Sequence, residues 1–539
     1  MKIKNILSLL LLITNICTFA QDMPAWKKAH MPDSNDWKKV EQHFVFNNSA
    51  EPKSLDSGVI SGLLEFRLIE CMFEGLVSMD PETLVPRPGI ANKWNISKDG
   101  LTYTFYLRKN AKWSNGRTVT AHDFYKSWIR ILDGSIAAPY NYQLFYIVGA
   151  EDFSKAKNKS SFDMKKIGVN VIDDFTLEVK LKNPTAYFLD IVAFPTLYAV
   201  PLETVKAYGD KWILPENIVT NGPFHLQKWD RRQKIVMVKS KTYWDAKYVK
   251  LEKITALAIE RVETAYKKFL NKGMHWQPSV PESKIDEVKK LPEYYQTDTL
   301  ATSFYRFNCK KAPFDKAEVR RAFAMATDRK TLAKHVLHDI PTPANWFCPP
   351  AAGYIHVKGL DYNPAKARKI LKDAGVITKG LAVEITFNTS ETHKLIAEFI
   401  SKNWENNLGV KVILKNMEWK TYLSNMTSMN YEVMRGGWYG DYNDPNTFFD
   451  MWTEGNGNNR TGWVNKKYDT LLFASQKETD KAKRMILFQQ MEIILIKEEL
   501  PILPLFIPAN KGLLSEQVNG YYHNIFGFHP LKYIWLEKE

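Results

Sequence analysis

The chain has 539 residues, a formal charge of +15 and 13% aromatic residues. That length exceeds what one hydrophobic core fills and requires two or three domains. Four cysteines, at spacings that match no zinc pattern, exclude a disulfide-built scaffold, and the scattered positive charge reads as a solvated basic surface, not the clustered footprint of nucleic-acid binding.

Lys2 and Lys4 precede an apolar run from Ile6 to Ile16, and Thr18-Phe19-Ala20 offers small residues for a signal peptidase. This order predicts a cleavable secretory signal over residues 1–20, cut after Ala20 and too short to remain as a membrane span. Thr14-Asn15-Ile16 before Cys17 makes a poor lipidation site. The mature chain of 519 residues (539 less 20) would lose Lys2 and Lys4, carry +13, and keep Cys71, Cys309 and Cys348. An odd number leaves at least one thiol free.

His43 to Asn47 reads as a strand. Leu63 to Leu76 reads as a helix with Leu64, Leu68, Met72 and Leu76 along one face. Leu101 to Leu107 alternates like a half-buried strand, and Thr120 with Asp123 predicts a capping box opening a helix through Leu132. Thr176 to Leu181 is another strand, stopped by Asn183-Pro184. Further on, Asn363 caps a helix that starts at Pro364 and ends before Gly375. Strands are predicted over Ala382 to Phe387, Val410 to Leu414 and Tyr431 to Met434, separated by helices over Thr392 to Leu408 and Trp419 to Thr427. This β-α-β-α-β order implies an α/β fold with parallel strands, whose carboxyl ends are the usual place for a ligand. Gly436 to Asp441 lies at such an end.

No nucleophile elbow, phosphate loop, zinc-protease helix or calcium loop occurs. His335 and His338, three apart on a predicted helix, could face one metal, but only two ligands are evident. Asp441 and Asp444 have the makings of a general acid/base pair or of an ordinary polar turn, and their spacing does not choose between these.

Several strings in order along the chain carry a resemblance. They are Ser54-Leu-Asp56, Phe73-Glu-Gly-Leu76, Asn110-Ala-Lys-Trp-Ser-Asn-Gly116, Val119-Thr-Ala-His-Asp-Phe124, Gly209-Asp-Lys-Trp212, Asn217-Ile-Val-Thr-Asn-Gly222 and Tyr243-Trp-Asp245. Lys311-Ala-Pro-Phe314, Leu408-Gly-Val410, Glu418-Trp-Lys420, Gly437-Trp438 and Asp441-Tyr-Asn443 continue them. With these the chain resembles the family of periplasmic solute-binding proteins that serve oligopeptide ABC importers (family 5, peptide/nickel type). The resemblance implies an α/β, two-lobed, hinged binding protein with an additional third domain (cluster C type). It divides the chain into a first lobe from 21–73, 200–300 and 509–539, an extra domain over 74–199, and a second lobe over 301–508.

The resemblance also implies what such a cleft holds: a short peptide, extended between the lobes and paired through its backbone with Gly62-Leu63 on one side and with Gly437, Trp438 and Tyr439 on the other. Asp441 would take the peptide's α-ammonium. Arg435 would take a tripeptide's carboxylate and His393 that of another length. Trp419 and Tyr140 would lie near the ligand, and Phe304 and Trp276 complete the expected binding set. No enzyme activity, cofactor, metal or nucleic acid is implied. The expected partners are short peptides and the permease and ATPase complex at the inner membrane, and the protein is expected to be a periplasmic monomer. Competing occupants of such a cleft are a murein peptide, a non-peptide solute, or the unfolded segments bound by a secreted chaperone or adhesin.

The chain also departs from the family pattern. The family's second-lobe disulfide falls on Ala301 and Tyr439, so it cannot form here. A lysine used for longer peptides falls near Leu337, with His338 beside it. Met426 and Arg306 stand at the positions of a pocket arginine and a pocket glutamate. Gly273-Met-His-Trp276 replaces a common Gly-Glu-Ile-Asp string.

Overall fold

The computed structural model describes residues 25–538 apart from 29, 186 and 479. The expected signal over 1–20 lies outside the described residues. No described helix is long and apolar enough to cross a membrane.

Three larger sheets organise the described chain. One has seven strands, in the order Tyr294–Asp298, Ala509–Leu514, Trp276–Gln277, His43–Asn47, Lys253–Leu257, Lys234–Lys239 and Phe224–Asp230. A four-stranded antiparallel sheet is built wholly from residues between Ala91 and Lys180. The third has six strands, all from Ala301 to Ile507. The first sheet therefore draws on three separated stretches of chain, and the other two on one stretch each.

Four strands of the third sheet matter below: β1 (Ala301–Phe307), β2 (Ala382–Asn388), β3 (Lys411–Met417) and β4 (Val433–Tyr439). β2 runs parallel to both β3 and β4, as the β-α-β-α-β pattern requires. The helices between them are Glu391–Leu408, capped by Ser390 and ended by left-handed Gly409, and Trp419–Thr427, capped by Glu418. Thr120 and Asp123 form the expected capping box, and Asn363 caps Pro364–Asp373.

Three expectations need correction. β4 covers Val433–Tyr439 instead of ending at Met434, so Gly436 to Tyr439 belongs to the strand itself; antiparallel pairing with β1, Ala301 opposite Tyr439, carries the two glycines along. The early helix stops at Met72 instead of Leu76. There the side chain of Asn221 accepts from Glu74 N at 3.0 Å and donates to Glu74 O at 3.1 Å, which holds the chain extended. His335 and His338 do not share a helix face: the last helical turn covers Leu332–Val336, and His338 has a left-handed φ of 55°.

Candidate functional site

A cavity of about 530 Å³ opens between the sheets. Ten of the twelve residues expected at the ligand line it: Gly62, Leu63, Tyr140, His393, Trp419, Arg435, Gly437, Trp438, Tyr439 and Asp441. Phe304 and Trp276 do not. Phe304 is fully buried and its ring meets Phe347 and Trp452 edge-on, because its place on β1 turns it into the core. Trp276 is 1% exposed and lies beneath the guanidinium of Arg67, 4.5 Å from its ring, so it supports a lining residue without being one. Leu337 packs in the core of the third sheet's lobe, and neither it nor His338 lines the cavity.

One wall is an open sheet edge. β1 pairs with β4 along its whole length, whereas β2 reaches β4 only opposite Val433 and Met434. Gly440 N donates to Leu300 O at 2.7 Å. Since alternate residues of an antiparallel pair face opposite edges, Arg435, Gly437 and Tyr439 turn their N–H and C=O groups away from β1. Arg435 O accepts from the Tyr422 hydroxyl at 2.5 Å. The groups of Gly437 and Tyr439 face the cavity edge, where no strand pairs beyond Met434. Across the cavity, Gly62 is extended (φ −119°, ψ 147°) at the start of the helix Leu63–Met72.

Glu282 and Lys511 pair at 2.6 Å in the lining, whereas Asp441 and Arg435 are unmatched among the described residues. Asp441 accepts a hydrogen bond from Gln143 Nε2 at 3.1 Å and has no cation against it among the described residues. Burial first, and the neighbouring Asp450 second, push its carboxyl well above the ordinary range, with the Gln143 bond opposing. Asp444, by contrast, is neutralised by a bidentate pair with Arg484 at 2.7 and 2.8 Å. The two aspartates therefore differ in their surroundings, one matched by a cation and the other not. Arg435, near the other end of the open edge, has no carboxylate partner among the described residues, and its Nε is buried without a hydrogen bond. His393 starts the helix Glu391–Leu408; burial, then Arg435, holds its ring well below its ordinary value and hence neutral, so it offers a hydrogen bond and not a charge.

Aromatic rings and a cross-cavity bond complete the walls. Tyr140 stacks on Trp438 with centroids 6.1 Å apart, and Trp438 Nε1 donates to Thr447 O at 2.7 Å. Trp419 Nε1 donates to Glu65 Oε1 at 3.2 Å, joining the helix of β4's sheet to that of the opposite wall. Sequence reasoning missed six charged lining residues: Arg67, Glu70, Asp190, Glu260, Glu282 and Lys511. Leu63, Arg67 and Glu70 recur at helical spacing, so a search for a polar stripe on that helix would have found two of them. Asp190 carries no such signal. Burial raises Glu70 to about 8 and Asp190 to about 6.

The profile of the bacterial extracellular solute-binding proteins, family 5, matches residues 85–460. The dipeptide-binding protein DppE of Bacillus subtilis is 35% identical over 95% of both chains. The OppA of Haemophilus influenzae, solved in complex with the peptide RPPGFSPFR, is 33% identical with a TM-score of 0.88, covering 92% of this chain and 99% of its own. The murein tripeptide-binding protein MppA of Escherichia coli, 31% identical over 93% of this chain and 99% of its own, also gives 0.88. The unliganded open form of MppA, covering 93% and 98%, gives only 0.61. The lobes of this chain thus sit away from that open arrangement, which fits the bonds and ring contacts that cross the cavity. With an α/β fold of several sheets, this cleft and these relatives, the chain belongs to the bacterial extracellular solute-binding proteins of family 5.

Proposed function

We propose that the protein binds short peptides in extended form between its lobes and delivers them to the permease and ATPase of an ABC importer. The observation that carries this reading is the open edge of β4, which offers the backbone groups of Gly437 and Tyr439 beside an unpaired carboxylate at Asp441 and an unpaired guanidinium at Arg435. A peptide adds a strand to such an edge, and its backbone bonds are the same for every sequence. Its ammonium and carboxylate supply the missing counter-charges. Gly62, Leu63, Trp419 and Tyr140 close the opposite side, and His393 donates to peptides of other lengths. Relatives that are named peptide-binding proteins, one of them solved with a nonapeptide, support the assignment.

In this reading the protein is a periplasmic monomer, freed by cleavage after Ala20, with no enzyme activity. The first lobe comprises 21–73, 200–300 and 509–539, the extra domain 74–199 and the second lobe 301–508. The composition of the three sheets supports this division. Two crossings, near Ala301 and Pro508, act as the hinge, and ligand touches both walls only when they close. Small-angle scattering of protein stripped of ligand is expected to give a smaller radius of gyration on adding a saturating peptide mixture. An unchanged radius would rule out the hinged trap.

Binding should also depend on pH. In the closed cleft without ligand the Asp441 carboxyl holds its proton to an unusually high pH, whereas a peptide ammonium requires it ionised. Peptide that fills the closed cleft therefore displaces a proton, and affinity falls as pH drops below the raised value of the empty closed cleft, by up to about tenfold per unit. Calorimetry in buffers of different ionisation enthalpy is expected to show proton release with a free-amine tripeptide and none with its N-acetyl form. Equal proton release for both would assign the titration to another group.

A further inference from the structure

Two buried arginines stand behind the open edge with no carboxylate to match them. Arg306 on β1 is 3% exposed and Arg460 is 8% exposed. Other arginines are matched, Arg130, Arg117 and Arg484 by the carboxylates of Asp56, Asp123 and Asp444, and Arg329, 7% exposed, by the main-chain carbonyls of Pro504, Ala324 and Thr327. No carboxylate lies within ion-pair distance of Arg306 or Arg460 among the described residues. Arg460 donates to Gly457 O at 3.2 Å, to the Met426 sulfur at 3.3 Å and to Ser61 Oγ at 3.2 Å, none of which carries a charge. Arg306 Nε has no hydrogen bond, and its guanidinium rests 4.7 Å over the Phe304 ring. It also lies tight against the strand: a Cβ on Gly436 would come within 2.5 Å of Arg306 Nη1. The glycine there leaves the room that the guanidinium occupies.

Burial first, then the mutual repulsion of the arginines, lowers Arg306 to about 10, and burial lowers Arg460 as well. Taking such ions from water is costly unless an anion compensates. The nearby hydroxyls do not compensate: Tyr422 donates to Arg435 O and Tyr431 to Arg460 O. One contact leads toward the cavity, because Ser61, which Arg460 holds, lines it beside Gly62.

Alternation fixes which ligand group can reach this place. Arg306 pairs with Met434, so it belongs to the face of the sheet opposite to that of Arg435. A terminal carboxylate at Arg435 would leave Arg306 and Arg460 unmatched. The side chains of an extended peptide alternate between the two faces in the same way, so one of any two successive residues points to the face that carries Arg306. We infer that these two arginines, which lie behind the cavity wall at Ser61 and do not themselves line it, select an acidic side chain, aspartate or glutamate, among the first three residues of the bound peptide, its carboxylate pairing with Arg460 and Arg306 past Ser61. This rests on the peptide reading above and adds a side-chain preference to it.

The test is calorimetry on ligand-stripped protein with tri-alanine and the nine tripeptides that carry a single Glu, Gln or Lys at position one, two or three. At one position Glu is expected to bind at least tenfold tighter than Gln, the size of a charge-assisted bond, and Lys weaker than Gln. Arg306→Met should bring the Glu-to-Gln ratio at that position to within about threefold. Its melting temperature should hold or rise, since a buried unmatched charge is removed. If that variant does not fold, Arg460→Gln serves for the same ratio. Equal affinity for Glu and Gln at all three positions, with tri-alanine bound, overturns the inference and leaves the peptide reading intact. Failure of every tripeptide to bind sinks the peptide reading itself. Inorganic phosphate that displaces the Glu peptide at millimolar concentration but not tri-alanine would show a free-anion site, and would also overturn the side-chain assignment.

Discussion

Replacing Asp441 by Asn is expected to lower affinity for free-amine peptides about thirtyfold or more. Asp441 lies at the end of the open edge, touched by Gln143 and by no cation among the described residues. In the closed cleft the peptide ammonium would be its only full counter-charge, with little water between them. Cutting one partner of such a buried pair costs about 2–5 kcal/mol because the other charge is stranded, and each 1.4 kcal/mol is about tenfold. The free protein should not suffer. A carboxyl whose folded pKa is raised above its unfolded value destabilises the fold at pH above that raised value. Asn removes this penalty at nearly the same volume, so the melting temperature without peptide should hold or rise. N-acetylated tripeptide should bind the wild type poorly and lose little more on Asp441→Asn, because both changes delete the same pair. Calorimetry on the four combinations measures that coupling. Additive losses would remove Asp441 from the ammonium site.

The strings that carry the family resemblance prove to be mostly scaffold. Asp56 of Ser54-Leu-Asp56 accepts from Arg130 at 2.6 and 3.1 Å and from Trp212 of the Gly209 string at 3.3 Å. Trp113 of the Asn110 string donates to Asp123 of the Val119 string at 3.2 Å. Such residues are legible in one sequence because each has a single geometry to satisfy and its string keeps its form. Periodicity likewise located the helices and parallel strands around β2, since the hydrophobic face of each element is set locally. β4 runs past its predicted end at Met434 for the converse reason: two glycines give no local strand signal, and only pairing with β1, more than a hundred residues away, makes them strand. The same distance hid Arg460, Arg67 and Asp190. None belongs to a string, and each matters only for what the folded chain brings near it. Asp441 and Arg435 were found by resemblance, while the absence of any counter-charge, which gives them a task, belongs to the tertiary structure alone.

Glu74→Ala is expected to destabilise the protein by about 3–5 kcal/mol, the usual cost of breaking a buried pair and stranding its partner. Three distant parts of the chain converge on this carboxylate. It is 4% exposed and accepts from Tyr243 at 2.5 Å, Trp244 at 2.6 Å and Lys532 at 2.9 Å. Gly222 N meanwhile donates to Met72 O at 2.8 Å, and a Cβ on Gly222 would strike the Met72 backbone at 2.5 Å. The early helix, the strings ending at Gly222 and Asp245, and the last residues are thus fastened at one node. Burial works against the charge of Glu74, but Lys532 and the donated hydrogen bonds outweigh it, so its pKa lies below the ordinary glutamate value. A carboxyl lowered in the fold contributes stability at pH above its unfolded value, about 4.3, and loses it as pH falls through the folded one. The wild type should therefore lose this node only in acid, and Glu74→Ala should flatten that part of the stability–pH curve. At about 2–4 °C per kcal/mol for a unit of this size, the first melting transition should drop by roughly 10 °C at neutral pH. Lys532→Met added to Glu74→Gln should recover part of what Glu74→Gln alone loses, because it removes the stranded ammonium. A drop of under 2 °C for Glu74→Ala, or no recovery in the double variant, would show that the node does not hold these segments together.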